Sequence, residues 1–390
     1  MNQVCVGVVG AGYAAYLHGN GYKKVSGVPL RLKTVVDTDI TQAEAVKERY
    51  GFEQAITSFD ELLADPEITV VDIVTPPFLH SSMIEQAMAA GKHVICEKPL
   101  TGYFGRKGDP EPIGDKVSKQ KMYDACIADM DKLRKVVEAS DKKFLYAENY
   151  VYCTPVVRAA DMIRKKGSKI LFLKGEESLK GSSSTVAGEW KYTGGGTLVR
   201  VGCHPLSGVL WLKQQEAKAR GELITIASVM ADTSRVTTCL NEYEHRHISA
   251  RPRDVEDFAN VTVTFSDGTK AVVLSSDTVL GGTKNYIEIY CNDSAMTCTI
   301  TPTDLLNTYF LDEDNMENIQ ISEMLPSKIG WNKVFVSDEI IRGYMGELQD
   351  FAETIYYDRE PVSGFELAYQ TTQVIYAAYL SAEEGRIVRF

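Results

Sequence analysis

An uncharged strand that runs directly into a glycine turn constrains this chain more than any other feature. Val4-Cys5-Val6-Gly7-Val8-Val9 is short and β-branched, the pattern of a parallel strand buried on both faces. Gly10-Ala11-Gly12-Tyr13-Ala14-Ala15 follows at once and matches G-x-G-x-x-(G/A). In that pattern the first glycine permits the tight turn, and the second lets the backbone approach a pyrophosphate. The small third residue, here Ala15, keeps the helix close to its strand. A second strand, Leu32-Lys33-Thr34-Val35-Val36, ends at Asp37, close to the expected spacing of about 20 residues. A carboxylate there bonds ribose hydroxyls and repels a 2′-phosphate, so the pattern implies NAD rather than NADP. The competing reading has Asp37 only capping the next helix, as Thr38, Asp39 or Thr41 would do equally well.

Strands and helices then alternate. Residues 42–50 read as a helix stopped by Gly51, residues 59–64 as a short helix, and residues 69–74 as a buried strand ending in Thr75-Pro76-Pro77. A helix over 80–90 ends at Gly91, and a strand over 93–96 runs into Glu97-Lys98-Pro99. Such alternation predicts a doubly wound parallel sheet, whose ligands bind at the carboxyl ends of its strands. Lys98 stands at such an end, where a lysine beside a nicotinamide can steer and accept protons while a hydride moves.

The bulk properties agree. A chain of 390 residues exceeds what one core organises, so two domains are expected. Hydrophobic residues at 44% and charged residues at 24% are ordinary for a soluble protein. No apolar run approaches the ~18 to 20 residues of a membrane span, and no basic leader precedes Val4. A cytoplasmic protein is expected. The net charge of −11 argues against nucleic acid, yet backbone amides can still hold an anionic cofactor. Eight scattered cysteines form no Cys-x-x-Cys pair, so no metal is expected.

Gly10-x-Gly12-x-x-Ala15-x-x-His18, Thr75-Pro76-Pro77-x-x-His80 and Glu97-Lys98-Pro99 together make the chain resemble the Gfo/Idh/MocA oxidoreductases. The resemblance extends over nearly the whole length. It implies an N-terminal Rossmann domain over 1–150 and a C-terminal α+β domain over 151–390 with a large, mostly antiparallel sheet. It also implies NAD(P)-linked oxidation of a hydroxyl on a sugar or cyclitol, in a homo-oligomer paired through that sheet. The cofactor contacts it implies are Gly10, Gly12, Tyr13, Ala14, Ala15, Asp37, Thr75, Pro76, Pro77, His80, Glu97 and Lys98. Asn149 and Tyr150, at the end of a strand over 144–150, fall where the family turns from cofactor to substrate.

Gly194-Gly195-Gly196-Thr197-Leu198-Val199-Arg200-Val201-Gly202-Cys203-His204 is the second decisive stretch. The family's usual form is a glycine run, then an aspartate four residues before a histidine or tyrosine on one helix face. His204 matches; Arg200 stands at the aspartate position. On this resemblance His204 is the general base, and Lys98 holds the same oxygen and stabilises developing alkoxide charge. Arg200, if it points inward, keeps the imidazole neutral or binds an acidic substrate group; if outward, it does nothing.

A glycine- and proline-rich insertion over about 101–118 follows Lys98 and reads as irregular loop. It forms either a lid or wall, with Tyr103 and Phe104 stacking on substrate, or an oligomer contact or tolerated surface loop. Further on, 261–265 and 270–274 read as a hairpin, 285–290 and 295–301 as strands, and 347–356 and 365–382 as helices. Arg251-Pro252-Arg253-Asp254-Val255-Glu256-Asp257 reads as a charged loop, either a solvated turn, which is the leading reading, or a substrate contact. Trp190, Tyr192 and Trp331 either stack on a sugar or pack. The leading functional expectation is an NAD-dependent dehydrogenase acting on a secondary hydroxyl of a sugar, cyclitol or glycoside, the 3-hydroxyl of a glycoside included. Its partner is a small polyol or glycoside, with no nucleic acid and no membrane. The alternatives are a glycosidase-like, redox-neutral oxidation and elimination on retained NAD, and a non-catalytic cofactor-binding sensor.

Overall fold

Strand β1 (Val4–Val9) is buried at all six positions, as its uncharged sequence requires. The computed structural model describes residues 3–301, 306–310, 329–334 and 342–390, with the side chains of 306–310 and 331–334 left outside the description. The chain divides into two compact units. The first contains Met1–Tyr103, Asp124–Tyr152 and Gly343–Gln373; the second contains Phe104–Tyr123, Cys153–Arg342 and Val374–Phe390.

The first unit is built on a six-stranded sheet. Its other strands are β2 (Leu30–Val36), β3 (Gln54–Ile56), β4 (Val70–Ile73), β5 (His93–Glu97) and β6 (Phe144–Ala147), in the order β3-β2-β1-β4-β5-β6. Every pairing is parallel. Helices α1 (Tyr13–Tyr22), α2 (Ile40–Tyr50), α3 (Phe59–Ala64) and α4 (His80–Ala89) form the crossovers. Local chemistry sets their ends: the Asp39 carboxylate accepts from the Thr41 N–H at the start of α2, and Gly51 closes it in a left-handed conformation. The three-residue edge strand β3 has no counterpart in the sequence expectation, so Lys98 follows the fifth strand rather than the fourth.

The second unit begins within the insertion, at Phe104, and the chain returns to the first unit at Asp124. Residues 101–112 are irregular, as expected, but α5 (Ile113–Lys116) follows before α6 (Lys119–Glu138) starts. The segment is not a free flap at this end: the Gly114 N–H donates to Asp254 Oδ2 at 2.9 Å, and a Cβ on Gly114 would fall 1.8 Å from the Asp254 carbonyl oxygen. Helices α7 (Thr154–Lys166), α8 (Trp190–Thr193) and α9 (Cys203–Arg220) accompany a seven-stranded sheet. Its strands are β7 (Ile170–Ser178), β8 (Ile226–Ser234), β9 (Phe258–Phe265), β10 (Lys270–Ser276), β11 (Lys284–Cys291), β12 (Ala295–Thr299) and β15 (Val388–Arg389). They run β12-β11-β7-β10-β9-β8-β15, antiparallel except where β7 pairs with β10. The mixed α/β class and the largely antiparallel second sheet agree with the expectation. β13 (Leu306–Phe310) and β14 (Gly330–Val334) form a separate hairpin. Helices α10 (Tyr344–Tyr357) and α11 (Phe365–Glu384) have ends within three residues of the expected ranges. Among the described residues, no helix is long and apolar enough to cross a membrane.

α9 is buried along most of its length, and one charged cluster interrupts its apolar packing. Lys213 Nζ donates to Glu216 Oε2 at 2.6 Å, Asp267 Oδ2 at 3.0 Å and the Ile170 carbonyl at 3.2 Å. Burial pushes the Asp267 carboxyl up, but its bonds to Thr269 and Lys213 outweigh that and hold it at about 2. A depressed carboxyl stabilises the fold above its unfolded value of about 4, and that stability is lost as pH falls towards about 2. Replacing Lys213→Met leaves the buried Glu216 without its cation and Asp267 with only Lys169, 3.5 Å away, which should cost about 3 kcal/mol at neutral pH. Urea unfolding of both proteins measures this, and a loss below about 1 kcal/mol would show that the cluster adds nothing net.

Candidate functional site

In the first unit the strand order reverses between β1 and β4, and the turns that leave these two strands meet there. Gly10 has φ 100°, and a Cβ on it would sit 2.8 Å from the Val74 carbonyl oxygen, so only glycine fits. Gly12 is different: nothing lies within 4 Å of its would-be Cβ, and it opens α1. That open approach at a helix N-terminus is the space a pyrophosphate needs. Tyr13 is 67% exposed beside it, Ala14 is half-buried, and Ala15 packs in the core. Asp37 stands at the end of β2, where its Oδ2 accepts from the Ala11 N–H at 2.7 Å and its Oδ1 from the Asp39 N–H at 2.9 Å. The helix cap belongs to Asp39, so Asp37 braces the glycine turn instead. These residues fit a dinucleotide, with the turn for its phosphates and the carboxylate at the ribose position.

Thr75 and Pro77 are half-buried and Pro76 is exposed at the end of β4. His80 is fully buried, with Nδ1 2.8 Å from the Pro99 carbonyl and Nε2 2.9 Å from the Thr75 carbonyl. His80, one of the expected cofactor contacts, ties the loops after β4 and β5 together through these two carbonyls. Burial lowers its pKa, and a neutral ring donates to only one of the two oxygens.

Beneath Lys98 lies a buried polar cluster. His18 Nδ1 is 2.8 Å from Asp72 Oδ2, which also accepts from the Tyr22 hydroxyl at 2.7 Å. His18 Nε2 is 3.4 Å from Glu97 Oε1, and Glu97 Oε2 accepts from the Lys98 N–H at 2.9 Å. Lys98 itself is half-buried. Burial alone would lower the His18 pKa; Asp72 and Glu97 override it and raise it well above the usual value. Glu347 of α10 faces the same cluster, and burial drives its carboxyl pKa well upward. Asn149, Tyr150 and Tyr103 are all buried, Tyr103 to 2% exposure, so its ring is packed rather than presented as a stacking face.

In the second unit a π-helical stretch, Leu198–Gly202, leads into α9. Arg200 lies on the π stretch and His204 in the first turn of α9, where it is buried. The Arg200 guanidinium donates to Asp277, which lies just beyond β10; their side chains are 18% and 4% exposed. Burial raises the Asp277 pKa while Arg200 opposes it. Arg200 therefore does not turn outward. With Asp277, Asp257, Glu256, Arg251 and Ser182 it lines a cleft of about 280 Å³. The turn over 251–257 is solvated only in part: Arg251 and Arg253 are exposed, whereas Asp254, Glu256 and Asp257 are buried. Asp277 and Glu256 were invisible in the sequence, because their partners lie 77 and about 60 residues away. Trp190 packs 4.8 Å from the Tyr379 ring, Tyr192 is partly exposed, and the Trp331 side chain lies outside the described residues.

A parallel sheet in this order, with a glycine turn after β1 and an acid after β2, defines a dinucleotide-binding unit of the oxidoreductase type. The chain belongs to the Gfo/Idh/MocA oxidoreductase family. Residues 4–105 match its NAD-binding Rossmann domain and residues 176–297 its C-terminal domain. It is an NAD-dependent dehydrogenase by membership of that family. Levoglucosan dehydrogenase of Pseudarthrobacter phenanthrenivorans is 24% identical over 330 residues, covering 80% of this chain and 78% of that protein. An inositol 2-dehydrogenase of Arthrobacter sp. is 35% identical over 97 residues, 25% of this chain and 28% of that one. Among solved structures, GenD2 from gentamicin A biosynthesis in complex with NAD has a TM-score of 0.77 at 21% identity, covering 100% and 97% of the two chains. Levoglucosan dehydrogenase with NADH and L-sorbose has 0.72 at 20% identity, covering 100% and 99%.

The raised pKa of His18 gives a test. Its stabilisation is present below the unfolded value of about 6.5 and is lost as pH rises through the raised folded value. Long-range 1H–15N spectra should show a protonated His18 ring at neutral pH, above that reference. A neutral ring at neutral pH would remove the ion pair with Asp72.

Proposed function

We propose that this protein oxidises a secondary hydroxyl of a sugar, cyclitol or glycoside. The observation that carries the reading is the open turn at Gly12 braced by Asp37, on a chain of this family. Gly10, Gly12, Tyr13, Ala14, Ala15 and Asp37 hold the dinucleotide, with Thr75, Pro76, Pro77, Glu97 and Lys98 at the neighbouring strand ends. NAD, when bound, takes up the hydride. His204 removes the hydroxyl proton, and Lys98 stabilises negative charge on that oxygen. Glu97, bonded to the Lys98 N–H and close to the His18 ring, orients the strand end that carries the lysine. Arg200 and Asp277 give the cleft a donor and an acceptor side by side, which suits vicinal hydroxyls. Asn149 and Tyr150 complete the substrate side.

Three finer points belong to the same reading. The levoglucosan and inositol dehydrogenases among the relatives support a polyol or glycoside substrate, and the finer proposal is a glycoside oxidised at its 3-hydroxyl. On β11, inward buried positions alternate with half-exposed ones, which supports pairing of two copies through the sheet's other face. All eight cysteines are outside disulfides, six of them buried, in keeping with a reducing cytoplasm.

A panel of sugars, inositols and glycosides, read by NADH absorbance with NAD and NADP in parallel, tests the reading. NADH should form with at least one polyol, and Lys98→Met and His204→Asn should each lower kcat by about 10²- to 10⁴-fold. No oxidation of any polyol would sink the proposal, and release of an aglycone without NADH would replace it with the redox-neutral cycle. Asp37→Ser should shift preference towards NADP by about tenfold or more, because the 2′-phosphate no longer meets a carboxylate. Unchanged preference would remove Asp37 from cofactor selection.

A further inference from the structure

Each residue of the run Gly194–Gly196 is gripped from outside the run. The Gly194 carbonyl accepts from the Tyr376 hydroxyl at 2.8 Å. Gly195 lies so close to the Tyr379 hydroxyl that a Cβ would fall 2.1 Å from it. Gly196 crosses Glu256 so tightly that a Cβ would meet the Glu256 carbonyl oxygen at 1.8 Å. The Gly196 N–H donates to Glu256 Oε2 at 2.8 Å and the Leu198 N–H to Oε1 at 2.9 Å. The Thr197 N–H donates to the Glu256 carbonyl at 3.0 Å, and the Tyr379 hydroxyl to Oε1 at 2.9 Å. Gly196 and the residues after it begin the helical run that carries Arg200 and His204. The first N–H groups of a helix have no partner within it, and a negative charge there is favourable. Glu256 answers both needs with one residue that is 6% exposed.

We propose that Glu256 is a positioning residue: its ionised carboxylate latches the glycine run and so sets Arg200 and His204 at the head of α9. Three donors converge on two carboxylate oxygens, so a proton on Glu256 displaces one of those bonds. Burial pushes its pKa up to about 7, against the pull of the Leu198 and Gly196 N–H groups and the Tyr379 hydroxyl. The latch is therefore tight above about pH 7 and loosens below it. Other charged groups around it keep their own partners. Tyr379 of α11 is held neutral by burial. Lys119 of α6 sits over the Trp190 ring and donates to the Gly114 carbonyl. Asp254 accepts from the Gly114 and Trp190 N–H groups, Asp257 from the Val236 and Thr237 N–H groups, and Asp277 from Arg200. Only the kinetic part of the proposal rests on His204 being the base.

The test is hydrogen–deuterium exchange of residues 194–204 in the full chain between about pH 6 and about pH 8, corrected for intrinsic rates. Protection should rise with pH through a midpoint of about 7. In Glu256→Gln protection should be lower and flat, and Glu256→Asp should restore part of the pH dependence. At pH about 8, Glu256→Gln should lower kcat by about 10- to 100-fold while KM stays within about threefold. Flat protection in the native protein, or full protection in Glu256→Gln, overturns the latch. Where Glu256→Gln fails to fold, Tyr379→Phe removes one donor and should move the midpoint upward; an unmoved midpoint overturns the proposal equally. If exchange behaves as expected but no polyol yields NADH, the dehydrogenase reading falls and the latch stands. If NADH forms while exchange is flat, only the latch falls.

Discussion

A carboxylate taken out of water has to be met by a cation or by several donors, and both units are organised where that happens. In the first, Asp72 is met by His18 and Tyr22, and Glu97 turns back onto the Lys98 N–H. In the second, Glu256 collects two N–H groups and a hydroxyl, and Asp277 collects Arg200. None of these acids stands on a solvated face. Glu97 and Glu256 fix backbone next to residues of the proposed chemistry, Asp277 holds Arg200, and Asp72 ties β4 to α1. The cost of leaving such a charge unmet makes these turns rigid, and rigidity is what a hydride donor and an acid–base pair require of their supports.

The nucleotide-binding half was largely legible because its signals are local. An unbroken apolar run means a strand buried on both faces, and a glycine turn followed by an acid about 20 residues on is set by the distance across one βαβ unit. The edge strand β3 escaped because three half-buried residues make no apolar run. The rest of the site depends on partners distant in sequence. Residues 251–257 looked solvated because charged residues usually are, and only the fold brings Gly196 and Leu198 onto Glu256. Glycine and proline in the insertion announced irregular backbone correctly, yet irregular backbone says nothing of burial, and Tyr103 is packed. The motif ending in His80 was read correctly as marking the strand end, although the ring serves loop geometry.

Arg200 occupies the position where the family's pattern has an acid, and its own partner had to come from elsewhere in the chain. The π-helical stretch Leu198–Gly202 runs into α9, so Arg200 and His204 stand on either side of a change in winding. The partner of Arg200 is Asp277, the residue that follows β10. A lone arginine at that depth would be an unpaired charge, and a lone Asp277 likewise; together they are neutral and still present both donors and an acceptor. Sugar hydroxyls each donate and accept, so a cleft meant for them needs both kinds of group on one wall. A carboxylate at position 200 would have offered acceptors alone. If this cleft is the substrate wall of the proposed reaction, the ion pair changes what that wall recognises without placing net charge in it, and the proposal favours a neutral polyol over an acidic substrate.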